Sequence, residues 1–133
     1  MTIAFWCIFV AALLNIITKA PLTKAQHEAG GYDNNHPRNQ QAGLDGWGQR
    51  ALAAHQNYFE AFPLFVAGVL VATVGQAEQH TTDGLAIAWL LTRLLYTWLY
   101  LADKATARSI VWGINYTLAM ALLSSPAWSA GVS

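Results

Sequence analysis

Charge is scarce in this sequence. Asp, Glu, Lys and Arg make up 11% of its 133 residues, hydrophobic residues make up 55%, and the formal net charge is zero. A soluble domain carries about a quarter charged residues. Here the few charges are also confined to a few places, which separates a membrane protein from a soluble one with a large core. Zero net charge and the lack of a basic tract exclude a nucleic-acid surface. There is one cysteine, Cys7. An intramolecular disulfide is therefore excluded, and so is a metal site built from thiolates. Cys7 lies in an apolar run and reads as an unreactive core or lipid-facing residue. His27, His36 and His80 fall in loops without metal-ligand spacing. The first apolar run has no Lys or Arg before it and no small-residue cleavage site after it, so it is expected to be a retained helix rather than a signal peptide. There is no internal repeat, and the length suits one domain, residues 1–133.

Long apolar runs are what the sequence has in abundance. Four stand out: Thr2 to Thr18, about Trp47 to Gly75, Gly84 to about Asp103, and about Ala107 to Trp128. Each is near the roughly 20 residues a helix needs to cross the hydrocarbon core. Four isolated strands would leave unpaired backbone groups in lipid, so strands are excluded. The expected fold is an all-α integral membrane bundle of four transmembrane helices. The first connection, Lys19 to Gly46, is long and polar, with Gly30, Gly31 and Pro37 as breakers. The second, about Gln76 to Asp83, and the third, around Asp103 to Thr106, are short. Lys19, Lys24, Arg38 and Arg50 lie in or beside the first connection, and Lys104 and Arg108 flank the third. By the positive-inside rule these two connections face the cytoplasm and both termini lie outside.

Against that background each ionisable group at membrane depth asks for a reason. At about 100° per residue, Arg50, Asn57 and Glu60 fall within about 80° of one another on the second segment. His55 points elsewhere. On the third segment Arg93, Tyr96, Tyr100 and Asp103 share a face, and on the fourth Arg108, Trp112 and Asn115 do. At about 1.5 Å per residue, Glu60 lies roughly 15 Å beyond Arg50 and Arg93 roughly 15 Å above Asp103, which places Glu60 and Arg93 at one depth as an expected ion pair. Asn57, Tyr96 and Asn115 form a shallower layer. Arg50, Tyr100 and Arg108 lie nearest the cytoplasm. The result is a polar pocket open to that side. The competing reading is structural: an ion pair and an interhelical hydrogen bond that hold helices together, with Trp6, Trp47 and Trp128 as interfacial aromatics.

Arg50-x3-Ala54-His55-x-Asn57-x2-Glu60, followed by Ala61-Phe62-Pro63-Leu64-Phe65, resembles the signature of the membrane-associated proteins in eicosanoid and glutathione metabolism, the MAPEG family. Its members include microsomal glutathione transferases, leukotriene C4 synthase and microsomal prostaglandin E synthase. Arg93-x2-Tyr96-x3-Tyr100 is similar to the family's third-helix pattern, and Arg108-Ser109 to the start of its fourth helix. The resemblance covers the chain from about Trp47 to its end. It implies a four-helix subunit, a homotrimer, and glutathione held between subunits at the cytoplasmic side. It also implies glutathione binding by Asn57, Glu60, Tyr96 and Tyr100, with Arg50 and Arg93 on the same stripes. Arg108 would stabilise the thiolate, with Ser109 beside it.

The resemblance therefore implies a glutathione-dependent transferase or peroxidase acting on lipophilic electrophiles or lipid hydroperoxides. Two alternatives stay open: a non-catalytic lipid- or partner-binding protein of the same fold, and an accessory subunit of a larger membrane complex. Ala53 and Gln56 stand where several members carry an additional arginine for glutathione's carboxylates. Lys19, Lys24 and Arg38 remain as substitutes. Trp112 stands where the prostaglandin synthase has a tyrosine, which argues against specific prostaglandin synthesis.

Overall fold

The computed structural model describes residues 1–130. It contains α1 (Ile3–Glu28), α2 (Pro37–Ala42), α3 (Gly46–Val74), α4 (Gln79–Leu101) and α5 (Ala105–Ser129). The four long helices are each long and apolar enough to cross a membrane. The protein is a multi-pass integral membrane protein.

Helix α1 does not stop at Thr18 but runs on to Glu28. Its buried stripe, Ala11, Leu14, Thr18, Leu22 and Ala25, keeps helical spacing throughout. Hydropathy falls after Thr18 only because Lys19, Thr23 and Lys24 occupy outward positions where the helix outgrows the bilayer. Its 26 residues span about 39 Å, against a hydrocarbon core of about 30 Å. The helix ends where Gly30 and Gly31 take φ of +104° and +98°, a region open to glycine at little steric cost. Part of the remaining connection is helical too. The short α2 folds back on α1: Gln26 Nε2 donates to the Pro37 carbonyl at 3.2 Å, and Gln40 Nε2 donates to the Gln26 carbonyl at 3.1 Å.

The other connections are tighter than expected. Helix α4 begins at Gln79, because Glu78 caps it by accepting from the His80 and Thr81 amides at 2.9 and 2.6 Å. Asp83, expected in a loop, sits inside α4 and accepts from the Ala4 amide at 2.8 Å, satisfying a donor at the start of α1. At the other end, Ala102 to Lys104 turn the chain into α5, with Asp103 at φ +59°.

Helices α3 and α4 form the central pair. Helix α1 packs on one flank, α5 on the other, and α1 and α5 do not touch. The core stacks Phe65 on Trp89 at 4.0 Å. Small residues let the helices approach. A Cβ on Gly68 would lie 2.9 Å from the Leu122 Cβ, so α3 and α5 meet where glycine removes the side chain, as membrane helix interfaces commonly do. Outward positions of α1, among them Trp6, Phe9, Leu13, Ile16 and Ile17, remain exposed and apolar.

Candidate functional site

Arg93 is the centre of the polar cluster. It sits on α4, 1% exposed within the subunit, where an ionised group needs partners on every side. Its Nη2 donates to Asn57 Oδ1 of α3 at 2.6 Å, and its Nη1 to Asn115 Oδ1 of α5 at 3.3 Å. The guanidinium lies over the Tyr96 ring at 4.0 Å from its centroid, a cation–π contact. Asn115 is held in turn by donating to the Trp89 carbonyl at 3.1 Å and to Thr92 Oγ1 at 2.8 Å. One arginine thus joins three helices.

Glu60 and Arg93 do not form the expected ion pair. Among the described residues the only ion pair is Lys24 with Glu28. Asn57 stands between the two groups, accepting from Arg93 and donating Nδ2 to Glu60 Oε2 at 3.2 Å. The axial-depth estimate compared backbone positions alone. The arginine side chain lies across Tyr96, one helical turn further along α4, and reaches the level of Asn57. Glu60 is left exposed, with one oxygen free of any hydrogen bond within the described residues.

Two adjoining hollows open off this network and share Asn57 and Trp112. One, of about 210 Å³, is bounded by Glu60, Arg93 and Asn115 and otherwise by apolar and aromatic groups such as Leu64, Trp89 and Tyr116. The other, of about 200 Å³, lies nearer the α4–α5 turn and is lined by Asn57, Tyr96, Tyr100, Arg108, Ser109 and Trp112. There the Arg108 guanidinium sits 4.3 Å from the centroid of the Tyr100 ring, which meets Tyr96 edge-on at 5.8 Å. Arg108 occupies the first turn of α5, where its charge and the helix N-terminus both favour an anion.

The fold therefore brings Asn57, Glu60, Arg93, Tyr96, Tyr100, Arg108 and Ser109 to one cleft between α3, α4 and α5. Arg50 lies outside it. It lines neither hollow and sits about 10 Å along α3 from Asn57, half-buried with its Nε unpartnered. Lys19 and Arg38 are also elsewhere, in a cavity on the α1 side of α3. Within one subunit they are not in reach of Glu60. His55 faces that same side, its Nδ1 3.4 Å from Thr18 Oγ1. Thr92 and Tyr58 carry supporting roles that the sequence reading did not assign. Thr92 orients Asn115, and Tyr58 donates to the Ala11 carbonyl while its ring lies 5.9 Å from the Arg93 guanidinium. Each adjoins a site residue in the sequence, Thr92 beside Arg93 and Tyr58 beside Asn57, and that adjacency was the available signal.

The described residues contain no His, Cys, Asp and Glu group able to hold a metal. Neither a curated protein nor a solved structure matches the chain. The sequence model described as MAPEG family matches residues 3–128, nearly the whole chain and every residue of the cleft, and the chain belongs to that family.

Proposed function

We propose that this protein is a glutathione-dependent membrane transferase or peroxidase acting on lipophilic electrophiles or lipid hydroperoxides. The observation that carries the reading is the pair of adjoining hollows that runs from Glu60 past Asn57 to Arg108. Its donor set fits glutathione chemically. Glu60, free of any ion pair among the described residues, receives an α-amino group in a charge-assisted bond. Asn57 fixes the carboxylate that does so. Arg108, with Tyr100 and Ser109 as hydroxyl donors, favours a thiolate over a thiol, since a neighbouring cation lowers a thiol's pKa. The thiolate supplies the nucleophile. The apolar hollow beside Trp112 and Tyr116 admits a lipophilic partner from the bilayer.

Glu60 and Trp112 are exposed on the subunit. Burying them against a second copy closes the cleft, and the homotrimer is part of this proposal. So is an orientation in which the α4–α5 turn faces the cytoplasm, with Lys19, Lys24, Arg38, Lys104 and Arg108 at that end.

A second reading, a non-catalytic binding protein of the same fold, draws on one observation. The two hollows hold only Arg93 and Arg108 as cations, which leaves glutathione's second carboxylate without a fixed partner inside one subunit.

Calorimetry of glutathione with the purified protein in mild detergent tests both. Binding that fails with Glu60→Gln, together with a thiolate absorbance band at neutral pH that Arg108→Leu abolishes, supports the enzyme. Arg108→Leu is expected to lower turnover of a generic aryl halide about 10²-fold or more, the scale of losing one preorganised electrostatic group. Bound glutathione with an ordinary thiol titration supports the second reading. No binding at all overturns the glutathione enzyme and leaves a non-catalytic lipid- or partner-binding protein of this fold.

A further inference from the structure

On the α1 side of α3, opposite the cleft, α1, α2 and α3 enclose a cavity of about 630 Å³. Lys19 from α1, Arg38 from α2 and His55 from α3 all line it, and no Asp or Glu does. Neither Lys19 nor Arg38 has a carboxylate partner among the described residues. Arg38 is exposed, but its place in the backbone is fixed. It follows Pro37, whose carbonyl is tied to Gln26, a side chain buried completely. Asn15 also lines the cavity, and its Oδ1 is buried without a partner.

The cavity has two tiers. One turn deeper than Lys19 on α1 is Ile16, 72% exposed, and one turn deeper than His55 on α3 is Phe59, 52% exposed. Both line the cavity. Lys19 lies about 24 Å along α1 from Ile3. With a hydrocarbon core of about 30 Å, its ammonium reaches the headgroup layer while Ile16 remains among acyl chains. A cationic tier above an exposed apolar tier matches a molecule with an anionic head and an apolar tail.

We propose that this cavity binds the anionic headgroup of a membrane amphiphile, a phosphodiester or a carboxylate, with Lys19 and Arg38 on the head and Ile16 and Phe59 along the tail. Within one subunit the site lies apart from the cleft between α3, α4 and α5, and the proposal does not rest on the glutathione reading.

The test uses the full chain in mild detergent, with bound lipid read by native mass spectrometry and by the shift in thermal stability. Phosphatidylglycerol, oleate, phosphatidylcholine and inorganic phosphate are offered separately. Phosphatidylglycerol or oleate is expected to bind at least about tenfold more tightly than phosphatidylcholine, and to weaken with salt. Whichever of the two binds identifies the head as phosphodiester or carboxylate. Inorganic phosphate, lacking a tail, should bind far more weakly. Lys19→Gln with Arg38→Gln is expected to remove the preference, and each single exchange to reduce it about threefold, which keeps the test available should the double variant fold poorly. Lys104→Gln, a cation at the same end but outside the cavity, should leave it intact. Equal binding of charged and zwitterionic lipid overturns the proposal. So does a preference that survives the double exchange, or one that Lys104→Gln removes equally. Tight inorganic phosphate binding would make this a free-anion site and overturn it too. Displacement of the lipid by glutathione, with glutathione binding lost in the Lys19 and Arg38 variants, reassigns the cavity to glutathione.

Discussion

The bridge through Asn57 can be separated from a direct attraction between Glu60 and Arg93 by measuring which pairs are coupled. Asn57→Leu leaves the buried guanidinium with one longer hydrogen bond, 3.3 Å to Asn115, in place of two. It also removes the donor on Glu60. A hydrogen bond to a charged group contributes about 1.5–3 kcal/mol, and stranding part of a buried cation adds to that. Asn57→Leu is therefore expected to cost about 3 kcal/mol, with an Asn57–Arg93 coupling of about 1.5–3 kcal/mol in a cycle with Arg93→Leu. Glu60 is exposed and one residue removed from the guanidinium. Its coupling to Arg93 in the cycle with Glu60→Leu should stay below about 1 kcal/mol, the range of exposed charge pairs. Unfolding by a denaturing detergent, titrated into mild micelles at one protein concentration, reads all the variants. A Glu60–Arg93 coupling larger than the Asn57–Arg93 coupling would refute the bridge and restore the direct pair.

Gly68→Ala is expected to destabilise the protein by about 1–3 kcal/mol by pushing α3 off α5, since the new Cβ would meet the Leu122 Cβ at 2.9 Å and the Ala119 carbonyl at 3.2 Å. Gly113→Ala, with nothing within 4 Å of its Cβ, should be neutral or gain up to about 1 kcal/mol from helix propensity, and equal losses in the same unfolding assay would contradict this. At the opposite end, hydrogen bonds from Thr81 and His80 hold the Glu78 carboxyl below its ordinary pKa. The cap's contribution is then fully present above the ordinary glutamate value of about 4.3 and fades as pH falls through and below it. Thermal melts of Glu78→Gln should lose less stability than the unmutated protein over that acid range, and parallel curves would count against the cap.

The four membrane helices were legible because lipid imposes a coarse rule, apolar length, on each. Their ends were not. Past Thr18, α1 carries lysines on its outer face and buried Leu22, Ala25 and Gln26 on its inner one. A hydropathy reading averages the two faces and sees only a polar stretch. The turn before α4 misled for a related reason. Glu78 and Asp83 look like loop residues by charge, yet each spends it on the backbone amides of a helix start. In the site, helical spacing grouped Asn57 with Glu60 and Arg93 with Tyr96 and Tyr100, and the side chains of each group meet. It also put Arg50 on the stripe of Asn57 and Glu60, and within one subunit Arg50 lies about two turns further along α3 and lines neither hollow, because sharing a stripe says nothing about distance along it. It also missed the bridge, because two opposite charges at one depth invite pairing while side-chain length and an aromatic face decide where the guanidinium ends up.

Helix α3 bears polar groups on two faces, and the flanking helices turn that into two unlike sites. Toward α4 and α5 it presents Asn57 and Glu60, an acceptor-rich face that meets the cations Arg93 and Arg108. Toward α1 and α2 it presents His55 and Gln56, which line one cavity with Lys19 and Arg38 and with no acid. Because α1 and α5 never touch, each face is closed by a different partner and open to the bilayer at its margin. Asn57→Leu and the Lys19 and Arg38 exchanges should therefore act independently. The residues share no hydrogen-bond partner and lie on opposite sides of a packed helix, a separation at which effects usually add within about 0.5 kcal/mol. Combined in one chain, their unfolding costs should sum. A larger departure would mean that a second copy joins the two faces, placing the cationic cavity of one subunit against the cleft of the next.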